Sequence, residues 1–455
     1  LLDYLRNRNV LLILDNFEHL LSSPVDGTLR REGAEWVTEL LNAAPHVKAL
    51  VTSRARLNVR GETLLPIGGM DVPPLIAPDR TENGSPPARR GEDAAQYSAV
   101  QLFVQCARRL RPGFAPVGND LWNVAQICRQ VAGMPLGVLL AASWTEMLSP
   151  AEISRQLRTQ SIDFLQTNWR DVPERQQSMR AVFDHSWRLL SEREQALFAG
   201  LSVFRGSFTH HAAQRVTGAS LLELISLVHK SLLQRTPAGR HEVHELLRQY
   251  AAAKLAALPD QGRAVRERHA ATYTDALQQW ERELKGPGQQ EALAEMEADI
   301  ENARAAWEWA AAQRQTTYLS RSMDGLCRFY EWRTRLQEGR AACQLVAGAW
   351  TDAEGQVEPG ARLSGDALRI RIRALAWQGV FDLIAGKAQT GWQAYTTSLH
   401  LLESASLTDR ETRAVRAFIL LRMGEARVGL SHEQAGRLVE QALALYRALD
   451  DRWST

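Results

Sequence analysis

The sequence predicts an α/β segment followed by an all-α remainder, and three observations carry this prediction. Two short apolar runs, 10–14 and 47–52, are typical of parallel strands buried on both faces, and a helical stretch at 32–43 lies between them. A stretch rich in proline and glycine at 71–96 suits neither a helix nor a strand. From residue 98 onward, apolar residues recur at helical spacing almost to the end of the chain.

Composition narrows the class of protein. A chain of 455 residues is too long for one ordinary domain, and its 45% hydrophobic and 23% charged residues are close to the average for globular domains. The net charge of +2 gives no overall attraction to DNA or to an anionic membrane. Binding to either would therefore require a local basic patch. The longest apolar run, 134–142, falls far short of the roughly 20 residues that a membrane span needs.

The cysteines and the chain ends carry two further expectations. The four cysteines lie far apart and form no Cys-x-x-Cys pair, which argues against a zinc ribbon and against a disulfide scaffold. Free thiols suit a reducing compartment, so we expect a cytoplasmic protein with no membrane partner. The sequence begins with Leu1 rather than Met and ends just after a predicted helix, so we expect a piece of a longer protein.

Short helices and a small hairpin are predicted around residues 173–260. The runs 232–236 and 241–243 are short and strand-like, and the turn residues Pro237 and Gly239 lie between them. Helices followed by a small hairpin describe a winged helix. We therefore expect a winged-helix domain in this part of the chain.

The last part of the chain shows weak internal repetition. Ala376, Gly379 and Gly391 follow one another at spacings like those of a tetratricopeptide unit, and Ala435 and Ala442 stand in a similar relation. Small residues at such positions let paired helices pack closely, and stacked pairs share a continuous core. An irregular helical array is the alternative interpretation.

Polar residues end both predicted strands. Asp15 follows the first run, and Ser53 and Arg54 follow the second. Ligands of parallel sheets gather at the carboxyl ends of strands, where a carboxylate suits Mg²⁺ and an arginine can bind a γ-phosphate bidentately. Alone, each feature has an ordinary alternative, a common strand-end acid or a surface arginine. Two successive strands that end in Asp15 and Arg54 are more specific than either alone.

Several segments, in order, resemble the STAND class of regulatory ATPases, which includes the NB-ARC proteins and the bacterial regulators related to the maltose activator. The resemblance begins with Asp-Asn-Phe-Glu-His-Leu-Leu at 15–21 and continues with Val-Thr-Ser-Arg-Ala-Arg-Leu at 51–57. Segments within 173–208 are similar to the winged helix of the family, and 295–307 resembles the segment that precedes its tetratricopeptide array. The likeness spans nearly the whole chain.

The resemblance implies further nucleotide-binding residues. Gly133-Met-Pro135 is similar to the Gly-x-Pro motif of the family, whose proline contacts the base region of the nucleotide; without the neighbouring motifs, Pro135 could equally be an ordinary helix-start proline. His244 matches the histidine that senses bound ADP, although Val243 and Glu245 replace the Met and Asp of that motif. For His244 an ordinary hydrogen bond at the start of a helix is the alternative.

The phosphate-binding loop of such ATPases does not occur in the sequence. That loop needs Gly-x-x-x-x-Gly-Lys-Ser/Thr, because its backbone N–H groups cradle the phosphates while the Lys and hydroxyl contact phosphate and Mg²⁺. The run Ala-Gly-Lys-Ala at 385–388 lacks the hydroxyl residue. ATP or ADP and Mg²⁺, with Asp15 as the metal ligand, are therefore expected only in a complete parent protein, and this chain alone is not expected to hydrolyse ATP.

The predicted fold class is α/β followed by all-α, in five segments. We expect the C-terminal part of a nucleotide-binding α/β domain with a partial P-loop NTPase sheet at 1–75, a linker loop at 76–97, a helical domain at 98–172, the winged-helix domain at 173–260 and tetratricopeptide-like repeats at 261–455.

The functional hypothesis is a nucleotide-dependent regulatory switch in transcriptional or signalling control. The helical repeats would sense a protein or small-molecule inducer and relay it to an effector domain, and the resemblance implies self-association in the ATP-bound state. No direct DNA contact is expected from this segment, because the presumed recognition helix at 221–230 carries few basic residues. The alternatives are a DNA-binding regulator that uses its winged helix and a non-catalytic helical scaffold.

Overall fold

The computed structural model describes residues 2–21, 32–74, 92–159, 161–167, 177–350, 365–404, 410–426 and 428–451. These residues are mostly helical, and the chain divides into two compact units. Unit 1 comprises residues 1–203 and 209–262, and unit 2 comprises residues 204–208 and 263–455. Within the described ranges, no helix is both long enough and apolar enough to cross a bilayer.

Helices greatly outnumber strands among the described residues. In chain order the elements are α1 (Leu2–Leu5), β1 (Val10–Leu14), a 3-10 helix (Phe17–Leu20), α2 (Glu32–Ala43), β2 (Val47–Val51), a 3-10 helix (Glu92–Gln96), α3 (Ser98–Leu110), α4 (Asn119–Gln130), α5 (Pro135–Ser143), a 3-10 helix (Trp144–Glu146), α6 (Pro150–Thr159), α7 (Ser161–Phe164), α8 (Met179–Arg188), α9 (Glu192–Leu201), β3 (Ser207–Phe208), α10 (His210–Thr217), α11 (Leu221–His229), β4 (Gln234–Arg235), β5 (His241–Glu242), α12 (Glu245–Ala256), α13 (Pro259–Leu284), α14 (Gln289–Ala312), α15 (Thr316–Trp332), α16 (Leu336–Ala347), α17 (Gly365–Ile384), α18 (Ala388–Ser404), α19 (Arg410–Ala426) and α20 (His432–Ala448).

The two strands of the α/β segment are parallel, as predicted. β1 pairs with β2 in a register that sets Val10 opposite Val47 and Leu14 opposite Val51. α2 joins the strands and buries Leu40 in a small cluster with Val47. This strand–helix–strand unit brings the carboxyl ends of both strands to the same edge of the sheet.

The prediction that both faces of these strands are buried is wrong for the described residues. Leu11 and Ile13 of β1 remain 60% and 63% exposed, and Leu50 of β2 remains 50% exposed. Successive side chains of a strand point to opposite faces of the sheet, and the cluster around α2 covers only one of them. The apolar run therefore identified a strand without showing what covers it.

The predicted linker loop lies mostly outside the described residues. Its last part differs from the prediction, because residues Glu92–Gln96 form a 3-10 helix that comes just before α3. The helices predicted around 99–110 and 121–131 are present as α3 and α4, and Pro135 is the first residue of α5. Proline is tolerated there because the first N–H groups of a helix have no partner within the helix.

The predicted hairpin is present between α11 and α12. β4 and β5 are antiparallel, and Gln234 lies opposite Glu242. The turn is closed by the Thr236 N–H, which donates to the Arg240 carbonyl at 2.9 Å, and Gly239 has the positive φ of 77° that such a turn requires. The sequence of short helices and a hairpin agrees with the winged-helix interpretation, which remains a prediction.

The helices of unit 2 pack in sequential pairs. α17 and α18 are joined by three residues, and small residues let them approach closely. A Cβ atom added at Gly379 would lie 2.4 Å from the Tyr395 ring, and one added at Gly391 would lie 2.9 Å from the Gly379 carbonyl oxygen. Gly424 in α19 meets the Ala435 carbonyl of α20 in the same way, at 3.0 Å. These contacts support helical repeats with close-packed pairs.

A short segment distant in sequence also belongs to unit 2. Phe204 and Phe208 stack on each other with ring centroids 4.2 Å apart, and the Phe204 ring also meets His269 edge-on. Asn302 of α14 holds the backbone between these two rings, because its Oδ1 accepts from the Arg205 N–H at 2.7 Å and its Nδ2 donates to the Ser207 carbonyl at 2.9 Å.

Candidate functional site

The site of interest lies where β1 and β2 end. The Thr52 N–H donates to the Leu14 carbonyl at 2.9 Å, and the Phe17 N–H donates to the Thr52 carbonyl at 3.0 Å, so hydrogen bonding continues past the last strand residues. Between them Asn16 adopts a left-handed conformation with φ of 58°. This conformation, which asparagine tolerates better than most residues, turns the chain at the edge of the sheet.

The Thr52 hydroxyl fixes the position of the Asp15 carboxylate. It accepts a hydrogen bond from the Asn16 N–H at 3.0 Å and donates one to Asp15 Oδ1. The carboxylate is therefore held by one of its two oxygens at the end of β1. Sequence reasoning gave no role to Thr52, although a hydroxyl residue that ends the second strand was a signal for one.

Arg54 connects the end of β2 to two other elements of unit 1. Its Nε lies 3.6 Å from Oε1 of Glu18, a carboxylate that is almost fully buried. Its Nη1 donates to the Ser186 hydroxyl at 3.0 Å and to the Val182 carbonyl at 3.4 Å, both in α8. The guanidinium thus connects a buried acid beside the sheet to α8.

Asp15 and Arg54 line one cavity of about 350 Å³, a volume at the lower end of the range for small-molecule sites. The other lining residues are Asn16, Glu18, Thr52, Ser53, Val182 and His185. Local pattern could have drawn attention to Glu18, an acid three residues beyond Asp15. Nothing local could have identified His185, because the fold alone brings it to the sheet edge.

The other predicted site residues do not line this cavity, and each has a structural role. Gly133 follows α4 with φ of 63°, and its carbonyl accepts from the Met70 N–H at 2.8 Å. A Cβ atom at Gly133 would lie 2.1 Å from the Met70 carbonyl oxygen. The glycine is thus required by backbone conformation and by a close backbone contact, and Pro135 begins the helix that follows.

Replacing Gly133 by alanine is expected to lower the stability of unit 1 by about 2–4 kcal/mol, because it adds a steric clash to an unfavourable φ. Gly218 is the matched control, since its positive φ of 74° lies in the left-handed helical region and an added Cβ would meet only the end of the Arg193 side chain, at 3.9 Å. Gly218→Ala should cost only about 1 kcal/mol. Thermal unfolding of both variants measures the difference, and equal losses would contradict the role of the Met70 contact.

His244 caps α12. Its Nδ1 accepts a hydrogen bond from the Leu246 N–H at 3.2 Å, which satisfies one of the unpartnered donors at the start of the helix. Burial lowers the pKa of His244, against the opposing charge of Glu245, so the neutral ring needed for this acceptor is favoured. The ordinary helix-start role of this histidine is therefore observed, and the ADP-sensing role remains a prediction.

The residues at the cavity fit part of a nucleotide–Mg²⁺ group. Mg²⁺ is commonly held by one or two carboxylates together with phosphate oxygens and water, and Asp15 supplies such a carboxylate at a strand end. Three or more metal-ligating side chains are not found together anywhere in the ranges that the structure describes. The cavity lining also includes no glycine-rich run that could cradle phosphates.

Comparison with known proteins gives the following matches. No family model matches the chain. It is 29% identical over 463 residues to a Mycobacterium tuberculosis protein named "Putative HTH-type transcriptional regulator", an alignment that covers 99% of this chain and 47% of that protein. It is 31% identical over 216 residues to an uncharacterized protein of the same organism, covering 48% of this chain and 47% of that one. The chain therefore spans about half the length of the curated relatives that it matches.

One solved structure also aligns with the chain. It is the Signal Transduction ATPase with Numerous Domains (STAND) protein with a tetratricopeptide repeat sensor from Pyrococcus horikoshii. The alignment covers 100% of this chain and 64% of that one, at 13% sequence identity and a TM-score of 0.25. At this TM-score the alignment carries no argument about the fold.

Proposed function

We propose that the chain is the switch-and-sensor part of a nucleotide-regulated signalling protein of the STAND class. One observation carries the proposal: Asp15 and Arg54, from the ends of two adjacent parallel strands, line one cavity at the sheet edge. The resemblance in motif order supports the same class. A relative named as a transcriptional regulator supports an output in transcriptional control.

Asp15 is proposed to hold Mg²⁺ on the nucleotide, directly or through water, when a phosphate-binding loop completes the site. Bound Mg²⁺ would neutralise charge on the phosphates. The Thr52 hydroxyl orients the carboxylate by binding Oδ1, which leaves the second oxygen to face a ligand. Thr52 is therefore a positioning residue in this proposal.

Arg54 is proposed to sense the γ-phosphate by exchanging its hydrogen bonds to α8 for hydrogen bonds to the phosphate. In the described conformation its guanidinium binds Glu18 and two groups of α8. A phosphate in the cavity would offer the same donors a doubly charged, bidentate acceptor, so the bonds to the Ser186 hydroxyl and Val182 carbonyl would be the ones replaced. Arg54 would then no longer hold α8, so the position of the segment that follows the sheet would depend on which nucleotide is bound.

Equilibrium binding of fluorescent ADP and ATP to the full-length protein tests this function. We expect Asp15→Asn to weaken Mg²⁺-dependent ATP binding by about tenfold or more, and Arg54→Ala to weaken ATP more than ADP. Arg60→Ala is the matched control, because Arg60 is exposed and lies outside the cavity lining. Nucleotide binding that is unchanged by both cavity variants would reject the proposal. A wild-type protein that binds no nucleotide would favour the alternative that the chain is a non-catalytic helical scaffold.

His244 is proposed to contact bound ADP in addition to capping α12, and two variants separate these roles. His244→Ala should cost about 1 kcal/mol of stability, because the cap is lost. His244→Asn should keep the cap, since asparagine is a good N-cap residue, yet should bind ADP about tenfold more weakly if the ring reaches the nucleotide. Thermal unfolding and ADP titration of the full-length protein measure both, and unchanged ADP affinity in His244→Asn would remove the sensor role.

DNA binding by the helices and hairpin at 210–242 is the second candidate, favoured by the order α10, α11, β4, β5. The surface of α11 argues against it. Leu221 and Leu222 are exposed on this helix, and the amine of Lys230 is committed to Glu194 at 2.7 Å. Binding of duplex DNA that weakens steeply between about 50 mM and 200 mM salt would favour this candidate over the switch.

A further inference from the structure

A second cavity of about 350 Å³ lies entirely within unit 2. Its lining side chains come from α13, α15, α17 and α19, together with Lys285 just after α13, Tyr446 of α20 and Asp451 just after α20. The intervening helices α14, α16 and α18 contribute none of the lining residues. The cavity therefore lies along the face formed by the first helix of successive pairs, where one ligand can contact several repeats at once.

An ion-pair network lies in the lining of this cavity. Arg373 of α17 is buried, and its Nη2 donates to Asp324 Oδ2 of α15 at 2.9 Å while its Nη1 donates to Glu411 Oε1 of α19 at 3.0 Å. The Trp377 indole N–H donates to the other oxygen of Asp324 at 2.9 Å. Burial alone would raise the pKa of Asp324, but the charge of Arg373 and this N–H outweigh it and lower the pKa. The acid is thus ionised at neutral pH.

The two carboxylates are more accessible than the arginine between them. The Asp324 and Glu411 side chains remain 35% and 46% exposed, whereas that of Arg373 is 10% exposed. A ligand that enters the cavity therefore meets carboxylate oxygens first at this point. An ammonium group would be attracted here, and a second anion would be repelled.

Cations balance these acids elsewhere in the lining. The charged lining residues are Lys285, Arg321, Arg328 and Arg373 on the cationic side, and Glu281, Asp324, Glu411 and Asp451 on the acidic side. Two of these cations already have an acid partner, because Lys285 pairs with Glu281 at 2.6 Å and Arg321 with Asp275 at 2.9 Å. A ligand that carries both charges can join such pairs without leaving a net charge in the cavity, whereas a simple cation or anion leaves one. A ligand carboxylate would be attracted to the cationic lining, away from the Asp324–Glu411 edge.

An apolar wall completes the cavity. The Trp377 and Phe418 rings lie with centroids 5.0 Å apart. Trp377 is only 2% exposed, so the half-buried Phe418 and Ala414 of α19 present most of the apolar surface. Aromatic and aliphatic groups of this kind gain free energy when they bury an apolar ligand body.

We propose that this cavity binds a small zwitterion with an apolar body, of the chemical class of a free hydrophobic amino acid. Its ammonium would bind Asp324 and Glu411, its carboxylate the cationic lining, and its body the Trp377–Phe418 wall. Because the same two acids join α15 and α19 to Arg373, the ligand would change the bonds that space successive helix pairs. The inference deepens the proposed sensor role by naming the ligand, and it rests on the proposed function only for that role.

Calorimetric titration of the 455-residue chain tests the ligand class directly, with no nucleotide present. The probes are L-phenylalanine and L-leucine, with phenethylamine and 3-phenylpropionate as analogues that each lack one charge. We expect at least one amino acid to bind with a Kd of about 1 mM or tighter, and each analogue to bind at least about tenfold more weakly than L-phenylalanine. No binding of either amino acid up to about 10 mM, or equal binding of either analogue, would overturn the proposal.

Glu411→Gln is the matching variant and should weaken amino-acid binding about tenfold, because it removes one charge from the ammonium site. Glu433→Gln is its control, since Glu433 is an exposed acid paired with Arg437 outside the cavity. Equal affinity of the two variants would also overturn the assignment. Nucleotide binding plays no part in these titrations, so their failure leaves the nucleotide proposal to be judged on its own experiment.

Discussion

Lowering the pH from 7 to 4 is expected to destabilise unit 2 by about 3 kcal/mol through one residue, His269. This histidine is fully buried, and burial lowers its pKa from 6.5 to about 4, with a hydrogen bond to Asn302 opposing the shift and Arg205 adding to it. The Tyr273 ring and, through Asn302, the Asp299 carboxylate complete its surroundings. Between the two pKa values the unfolded chain binds a proton that the folded unit does not. Stability is therefore complete above about pH 6.5 and falls as the pH drops towards 4.

The measurement is urea unfolding of the chain across this pH range, followed by hydrogen exchange in α13 and α14. His269→Gln removes the titrating ring, so its stability should change less steeply with pH than that of the wild type, whatever the variant costs at pH 7. His432→Gln removes an exposed histidine and should leave the slope unchanged. Parallel slopes for wild type and His269→Gln would show that the buried ring does not titrate as expected.

Replacing Phe381 by alanine is expected to cost about 3–5 kcal/mol, the range for deleting a buried aromatic ring. Phe381 is fully buried in α17, stacks on Trp377 with centroids 6.0 Å apart, and fills the space beside Gly339 of α16. A Cβ atom added at Gly339 would lie 2.4 Å from this ring, so the glycine and the phenylalanine are complementary. The loss should be confined to unit 2.

A double-mutant cycle makes this prediction sharper. In the wild type, Gly339→Ala should destabilise, because the new methyl group meets the Phe381 ring. In the Phe381→Ala background the same change should be neutral or stabilising, because the ring is gone and alanine favours a helix. Trp122→Ala deletes a half-exposed indole in unit 1 and serves as the control, with a loss below about 1 kcal/mol. The same effect of Gly339→Ala in both backgrounds would contradict the packing described.

Local patterns predicted the elements better than their surroundings. The apolar run of β1 was sufficient to identify a strand, and the alternation with α2 was sufficient to predict a parallel partner. Exposure of Leu11 and Ile13 could not be predicted, because what covers the face of a sheet is decided by segments distant in sequence. The start of α5 was predictable for a different reason, since the effect of proline at 135 is confined to the first turn of the helix.

The candidate site shows the same division. Asp15 and Arg54 could be predicted at one edge, because the carboxyl ends of adjacent parallel strands must coincide. The bonds from Arg54 to α8 join residues 128 and 132 positions apart, and no spacing rule links them. Gly133 and His244 were expected from family likeness to serve a nucleotide, whereas the described contacts give each a local backbone role. A contact with a nucleotide is not encoded in the local backbone geometry of a turn or a helix start, so such a contact could be expected only from the family likeness.

The placement of Phe204–Phe208 has a consequence for how this protein can be taken apart. The chain passes between the two units three times, after residues 203, 208 and 262. A truncated protein that ends at 262 would keep two phenylalanine rings without the residues that bury them, and one that begins at 263 would open a hollow beside His269 and Tyr273. Fragments of unit 2 are therefore better made by fusing a 204–208 peptide to residues 263–455 through a linker than by a single cut.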